Sequence, residues 1–357
     1  MLLHWLMAGG TYKSGLNNSM TTISSKPPAI TVLMACYNAA RWLDVVICSV
    51  LGQSFKDFEF IIVDDGSADE TLKIINRHAM ADLRIVVIAK SNTGLADSLN
   101  VGILKARGKW IARIDADDLC DQSRLEKQFE LGMANSKIVF IGSGFYEIDQ
   151  YGNRMGIHKC PTADKLILRE LEMVRKSPPH SSAFFLTKAA HSIGGYRTRL
   201  VKAQDLDLWL RLSELGELAG IEEPLVQIRK HSGQISNFLS GRPQMIDARV
   251  AVTSYFLRQM RIVDPVVENE SNYQYFREWI AKEIEDDGVY VLLDFRQQLI
   301  DACHRSPNLL IGSLNILQMA AKRPGIMWRY ILHRLMGESL PRRLAQKWGK
   351  RTVTDLE

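Results

Sequence analysis

From Ile30 onward the chain alternates short apolar runs with amphipathic stretches, and that alternation predicts its elements. Ile30 to Leu33 is a β-rich run ended by the polar Tyr37 and Asn38, with a helix expected over about 39–53. Phe58 to Val63 is a second apolar strand, closed by Asp64, Asp65, Gly66 and Ser67. The next helix is expected to start near Asp69, a good N-cap, with Glu70 in its first turn. Arg84 to Ile88 reads as a third strand, Ser91 to Gly94 as a turn, Leu95 to Ala106 as an amphipathic helix and GKWIARIDADD as a fourth strand. Strands that are apolar throughout, each followed by a helix, imply a parallel sheet covered on both faces. Polar clusters close nearly every strand at its carboxyl end, where open α/β sheets bind ligands, so the pattern predicts a nucleotide-binding α/β architecture.

Beyond the fourth strand the rhythm changes. Lys137 to Ile157 reads as strand and turn, with a hairpin around Asp149 to Asn153, and a helix is expected near 163–175. AQDLDLWLRLSELGELAGI opens on an acidic pair and continues as an amphipathic helix, and PLVQIRKHSGQIS is a strand ending in a basic, polar turn. After about residue 238 the pattern is helical, with breaks expected at Pro265 and Pro307. Residues 1–28 read as a flexible leader, in which Met20 is an alternative start.

The composition narrows the function classes. A formal net charge of +5 on 357 residues, with both signs mixed along most of the chain, implies no nucleic-acid partner. Five scattered cysteines without CxxC spacing argue against a disulfide framework or zinc cluster and suit a reducing, cytoplasmic compartment. The apolar run at the start lacks a basic segment before it and is too short for a signal peptide or a membrane span.

The chemistry concentrates in WIARIDADDLCD, which places Asp115, Asp117, Asp118 and Asp121 within seven residues. Something must offset their repulsion. At strand spacing Asp115 and Asp117 point to one side and can share a divalent cation, and Mg²⁺ and Mn²⁺ are commonly held by one or two carboxylates plus substrate phosphates. A calcium loop of EF-hand type fails at Leu119 and Cys120, where an oxygen ligand and a glycine belong. The simpler reading is that these acids cap a helix starting near Gln122.

The order and spacing of MACYNAARWLDVVICSVLGQSF, IIVDDGSADET, NTGLADSLNVGILKARGKWIARIDADD, HSSAFF, GGYR, AQDLDLWLRL and IRKHSGQIS resemble a family 2 glycosyltransferase of bacterial surface-polysaccharide type, from Ile30 to about Ser236. The resemblance implies a GT-A fold: a Rossmann-like, mostly parallel sheet flanked by helices, with a helical C-terminal extension. Its domain would span 29–238, with a nucleotide-sugar half at 29–121 and an acceptor half at 122–238, followed by a helical region at 239–357. It also implies inverting transfer of a sugar from a nucleotide diphosphate sugar to an acceptor hydroxyl of a glycan or lipid-linked glycan. Tyr37 and Asp65 would hold the nucleoside base, Asp115 the ribose region, and Asp117 the Mn²⁺ or Mg²⁺ that bridges the diphosphate. Asp205 would be the base, although Gln204 stands where the family pair usually has Glu, and Asp207 is a substitute two residues on. His231 aligns with a histidine that contacts the metal or diphosphate. His180, Gly194 and Gly195 match positions near the acceptor without an assigned role.

Two other classes compete. A sugar nucleotidyltransferase would need a glycine-rich phosphate loop after the first strand, which ACYNAARW does not supply. A non-catalytic nucleotide-sugar or glycan-binding relic of such an enzyme has only Gln204 in its favour. Finally, KRPGIMWRYILHRLMGESLPRRLAQKWGKR sets nine Lys and Arg residues against the single acid Glu338. Such a tail either lies on the anionic inner face of the cytoplasmic membrane or packs on the domain with its basic face in solvent.

Overall fold

The computed structural model describes residues 26–175, 178–231, 241–286, 325 and 340–354; the leader, the Pro307 break and most of the basic tail lie outside the described residues. The first half follows the predicted rhythm: β1 (Ile30–Cys36), α1 (Ala40–Leu51), β2 (Phe58–Asp64), α2 (Thr71–Ala81), β3 (Ile85–Ala89), α3 (Leu95–Lys105) and β4 (Trp110–Arg113). These strands lie parallel in the order β3-β2-β1-β4. Ile30, Val32, Met34, Phe58, Phe60 and Ile62 pack against Leu43, Val46, Ile47 and Ile75 of α1 and α2. The intervening Leu33, Ala35, Ile61 and Val63 pack on the opposite side, against Leu99 and Ile103 of α3. Both faces are therefore buried, which is why the strands show no apolar-polar alternation. Asp69 accepts from the N–H groups of Thr71 (3.0 Å) and Ala40 (3.2 Å), so one carboxylate serves the starts of both α2 and α1.

The second half comprises β5 (Leu119–Cys120), α4 (Arg124–Ala134), β6 (Ile138–Ile148), β7 (Arg154–His158), α5 (Asp164–Glu172), β8 (Phe184–Leu186), α6 (Thr187–Ser192), α7 (Gln204–Ser213) and β9 (Glu217–Arg229). Here the sheet becomes mixed. Its order continues β4-β8-β6-β9-β5, with β8 antiparallel to both neighbours, β5 antiparallel to β9, and β7 forming the expected hairpin with β6. The helix expected through ELAGI stops at Ser213, and Glu217 already begins β9, because Leu218 and Ala219 find partners in Phe140 and Ile141 of β6.

Helices α8 (Gly241–Gln259), α9 (Glu270–Asp286) and α10 (Leu340–Thr354) cover the α3 side of the sheet and share its hydrophobic cluster. Pro265 opens a short turn between α8 and α9, as expected for a break. Trp348 of α10 meets Phe276 and Trp279 of α9 at centroid distances of 4.7 and 4.9 Å, and Leu344 and Ala345 are buried beside it. Its opposite face exposes Arg342, Arg343, Lys347, Lys350 and Arg351. In this segment the tail is thus a packed helix with a basic outer face. No described helix is long and apolar enough to cross a membrane.

Candidate active site

The carboxyl ends of β1, β2 and β3 form one rim. Tyr37 is 53% exposed there. Asn38 is held in a left-handed conformation (φ 50°), accepting from the Ala68 N–H and donating its own N–H to Ser67, which ties the β1 end to the turn after β2. Gly66 makes that turn at φ 75°, and a Cβ there would come within 2.8 Å of the Asn92 nitrogen. The tight approach lets the 90–94 loop close around Asp65. Asp65 accepts from Lys90 Nζ (2.6 Å) and from the N–H groups of Thr93 (3.0 Å) and Gly94 (2.8 Å). Burial opposes its ionisation, but these bonds outweigh it and hold the carboxyl below its ordinary pKa. The carboxylate expected to face a base is therefore turned into the protein's own loop.

Beyond β4 the four acids separate into different roles. Asp121 accepts from the Ser123 N–H and hydroxyl and fastens the turn that leads into α4, whose first flanking residue is Ser123. Asp115, Asp117 and Asp118 stay together, with an oxygen of each within 4.8 Å of the others. What offsets their repulsion is largely protein. The fully buried Arg113 grips Asp115 through both guanidinium NH₂ groups. Ser181 donates to Asp118 (2.5 Å) and lies 2.9 Å from Asp115, and the Arg229 N–H donates to Asp118 (2.8 Å). Burial would raise the Asp115 pKa, yet the Arg113 charge, with the hydrogen bonds from Arg113 and Ser181, holds it below the usual value. Asp117 and Asp118 remain raised, first by burial and then by the neighbouring carboxylates, so the cluster is short of positive charge on that side. Three oxygen donors in a charge-deficient cluster suit a hard divalent cation. Asp117 meets His231 Nε2 at 2.8 Å, and His231 rests on Trp42 at 4.4 Å.

A cleft of about 320 Å³ opens in front of this cluster, lined by Asp115, Asp117, Asp118, His180, Lys202 and Asp205 among others. Asp205 enters it from the first turn of α7. Burial raises its pKa, while the N–H of Leu206, at 2.8 Å, and the Arg113 charge oppose the rise. Asp207 does not reach the cleft. It is fully buried and paired with Arg211 (2.8 Å) and Arg197 (3.3 Å), so the suggested substitute for Asp205 belongs to the core. With its nitrogen turned to the carbonyls of Val201 (2.5 Å) and Leu200 (3.1 Å), Gln204 donates to both. A glutamate there would set its charge against two carbonyl oxygens, which gives the glutamine a local reason.

The sequence reading assigned no role to Arg113, Ser181, Arg229 or Trp42. Arg113 alone left a visible signal, as a cation inside an otherwise apolar strand. Ser181 and Arg229 meet the acids only across 63 to 112 residues of chain, and Trp42 reaches the cluster through His231.

This sheet, with an acidic cluster at the end of β4 and a carboxylate facing it from α7, defines a GT-A glycosyltransferase. The sequence profile of Glycosyl transferase family 2 matches residues 31–194. EpsE of Bacillus subtilis (strain 168), named as a glycosyltransferase, is 34% identical over 212 residues, 57% of this chain and 74% of that protein. The amylovoran biosynthesis glycosyltransferase AmsE of Erwinia amylovora is 28% identical over 255 residues, 66% of this chain and 94% of AmsE. The chain belongs to glycosyltransferase family 2 and is a transferase. Among solved structures, S. aureus TarS 1–349 in complex with UDP-GlcNAc matches with a TM-score of 0.53 at 14% identity, covering 90% of this chain and 91% of that one. The mannosyltransferase PcManGT from Pyrobaculum calidifontis, in complex with GDP-Man and Mn²⁺, matches with a TM-score of 0.51 at 16% identity, over 90% and 87%. At such identities the likeness is one of fold.

Proposed function

We propose that the protein transfers a sugar, with inversion, from a nucleotide diphosphate sugar, a UDP-sugar, to an acceptor hydroxyl during synthesis of a surface polysaccharide such as an O-antigen, capsule or exopolysaccharide. The observation that carries this reading is that Asp205 shares one cleft with Asp115, Asp117 and Asp118. Inversion by a single displacement needs a carboxylate at the acceptor hydroxyl and charge stabilisation at the departing diphosphate, and the cleft has groups for both. Asp205 takes the acceptor's proton, and its raised pKa makes it a stronger base than an ordinary carboxylate. Asp117 and His231 hold the cation, Asp115 the ribose region, and Tyr37 and the Asp65 loop the nucleoside base. Mn²⁺ or Mg²⁺ bound there would neutralise charge on the diphosphate as the bond to the sugar breaks. The pathway is supported by the name of AmsE, and the UDP-sugar by the TarS complex.

A panel of nucleotide sugars, assayed for nucleotide release with Mn²⁺, tests the reading. At least one UDP-sugar should turn over. Nucleotide binding without release from any donor would leave the non-catalytic relic instead.

The acceptor is proposed to be lipid-linked, with the protein held peripherally at an anionic membrane surface. For the described part of the tail, burial of Leu344 and Trp348 rules out insertion of their side chains, so attachment rests on the exposed basic face of α10. The full chain should float with vesicles containing phosphatidylglycerol but not with neutral ones, and salt should weaken this because such attraction decays over about 8 Å at physiological ionic strength. Reversing Arg343, Lys350 and Arg351 to glutamate should abolish flotation. Unchanged flotation would remove α10 from membrane binding.

A further inference from the structure

Among the chemically capable cleft residues that the proposed reaction leaves without a task is His180. It opens the short turn His180–Ser182, so Ser181 fastens Asp115 and Asp118 while the imidazole lines the cleft beside Asp115 and Asp205. Its Nε2 lies 2.8 Å from the Tyr196 hydroxyl. Tyr196 is 2% exposed and held through its backbone: its N–H donates to the Asn100 side chain (2.7 Å), which donates back to its carbonyl (2.8 Å). Trp209, itself fully buried, meets the imidazole edge-on at 5.9 Å.

The hydrogens then decide the tautomer. His180 is the hydrogen-bond partner that the Tyr196 hydroxyl has among the described residues. If Nε2 carried the proton and donated, the buried phenol would keep a hydrogen with no acceptor. If Nε2 is bare, the phenol donates to it, the buried hydroxyl is satisfied, and the Nδ1–H is left for another acceptor. The proton of the neutral ring therefore sits on Nδ1. Burial, and next the Arg113 charge, push the His180 pKa well below the ordinary histidine value, so the ring stays neutral.

We propose that His180 is a substrate-binding residue, locked by Tyr196 as the Nδ1–H tautomer, and that it donates a hydrogen bond to a hydroxyl of the transferred sugar. This rests on the glycosyltransferase reading. The sugar must lie between the carboxylate cluster, where its diphosphate leaves, and Asp205, where the acceptor loses its proton, and His180 lines the cleft with both. A neutral N–H donor matches a neutral hydroxyl, whereas a phosphate would call for a cation. Tyr196 is the positioning residue.

Imidazole ¹⁵N–¹H correlation spectra of the full chain, with His180→Gln assigning the signal, read the tautomer directly. The ligand-free protein should show Nδ1–H. UDP should leave this resonance in place and UDP-GlcNAc should move it. Tyr196→Phe should let the Nε2–H form appear and weaken UDP-GlcNAc binding about 3- to 10-fold, the loss expected for one neutral hydrogen bond, with UDP affinity unchanged. His180→Gln, which keeps an N–H donor, should lose less than His180→Ala, and this pair decides the matter should Tyr196→Phe fold poorly. An Nε2–H tautomer in the wild type, an equal shift with UDP alone, or UDP-GlcNAc affinity unchanged in His180→Ala would overturn the proposal. Absence of any UDP binding in the wild type would refute the UDP-sugar reading of the donor instead, and the ligand-free tautomer would still decide the lock.

Discussion

Replacing Asp205 with asparagine is expected to lower kcat by roughly 10²- to 10⁴-fold, the range for loss of a positioned acid-base group, while donor affinity hardly changes. The substitution keeps the side chain's shape but removes its capacity to accept a proton. The pH profile supplies a second measurement. Because burial raises the Asp205 pKa, kcat/KM should fall as pH drops through a value above the ordinary carboxylate range, where Asp205 becomes protonated and stops accepting. That acid limb should be missing from the residual activity of Asp205→Asn. Asp207→Asn should behave differently. It leaves Arg211 and Arg197 buried beside a neutral amide, so its effect is a loss of stability of about 3–5 kcal/mol, read as a lower Tm. Near-normal turnover in Asp205→Asn would leave the inverting mechanism without its proton acceptor.

Asp117→Ala should abolish transfer and remove the Mn²⁺-dependent part of UDP binding, with the Tm unchanged or slightly higher. Asp115 and Asp118 are committed to Arg113, Ser181 and the Arg229 N–H, whereas the hydrogen bond recorded for the Asp117 carboxylate goes to His231. Asp117 is thus the member of the cluster most available to a cation. Burial and Asp115 raise its pKa, so the repulsion relieved by deleting it offsets the lost contact with His231. Titration calorimetry with UDP, with and without Mn²⁺, separates the two effects. Normal turnover in the variant would move the metal elsewhere.

By itself the sequence determined the parallel half of the sheet. Strands such as Phe58–Asp64 are buried on both faces, so their apolar runs and the polar clusters that end them are local signals, readable without knowing what they touch. It also singled out the acidic positions, because four carboxylates within seven residues demand a counter-charge wherever they fold. The tertiary structure alone decided which counter-charges those are and which acids share a cleft. Strands β5 and β8, two and three residues long, exist only through their partners and carry no period to read. Asp205 and Asp207 have the same residue type and both fall in the first turn of α7, and only the packing of that helix sends one into the cleft and the other to Arg197 and Arg211. The tail shows the same limit. Its composition suits a membrane surface or a protein core equally, and the choice for Trp348 was made by Phe276 and Trp279, some seventy residues away in the chain, since burying an aromatic ring is favourable in either place and local sequence carries no trace of which apolar surface lies nearer.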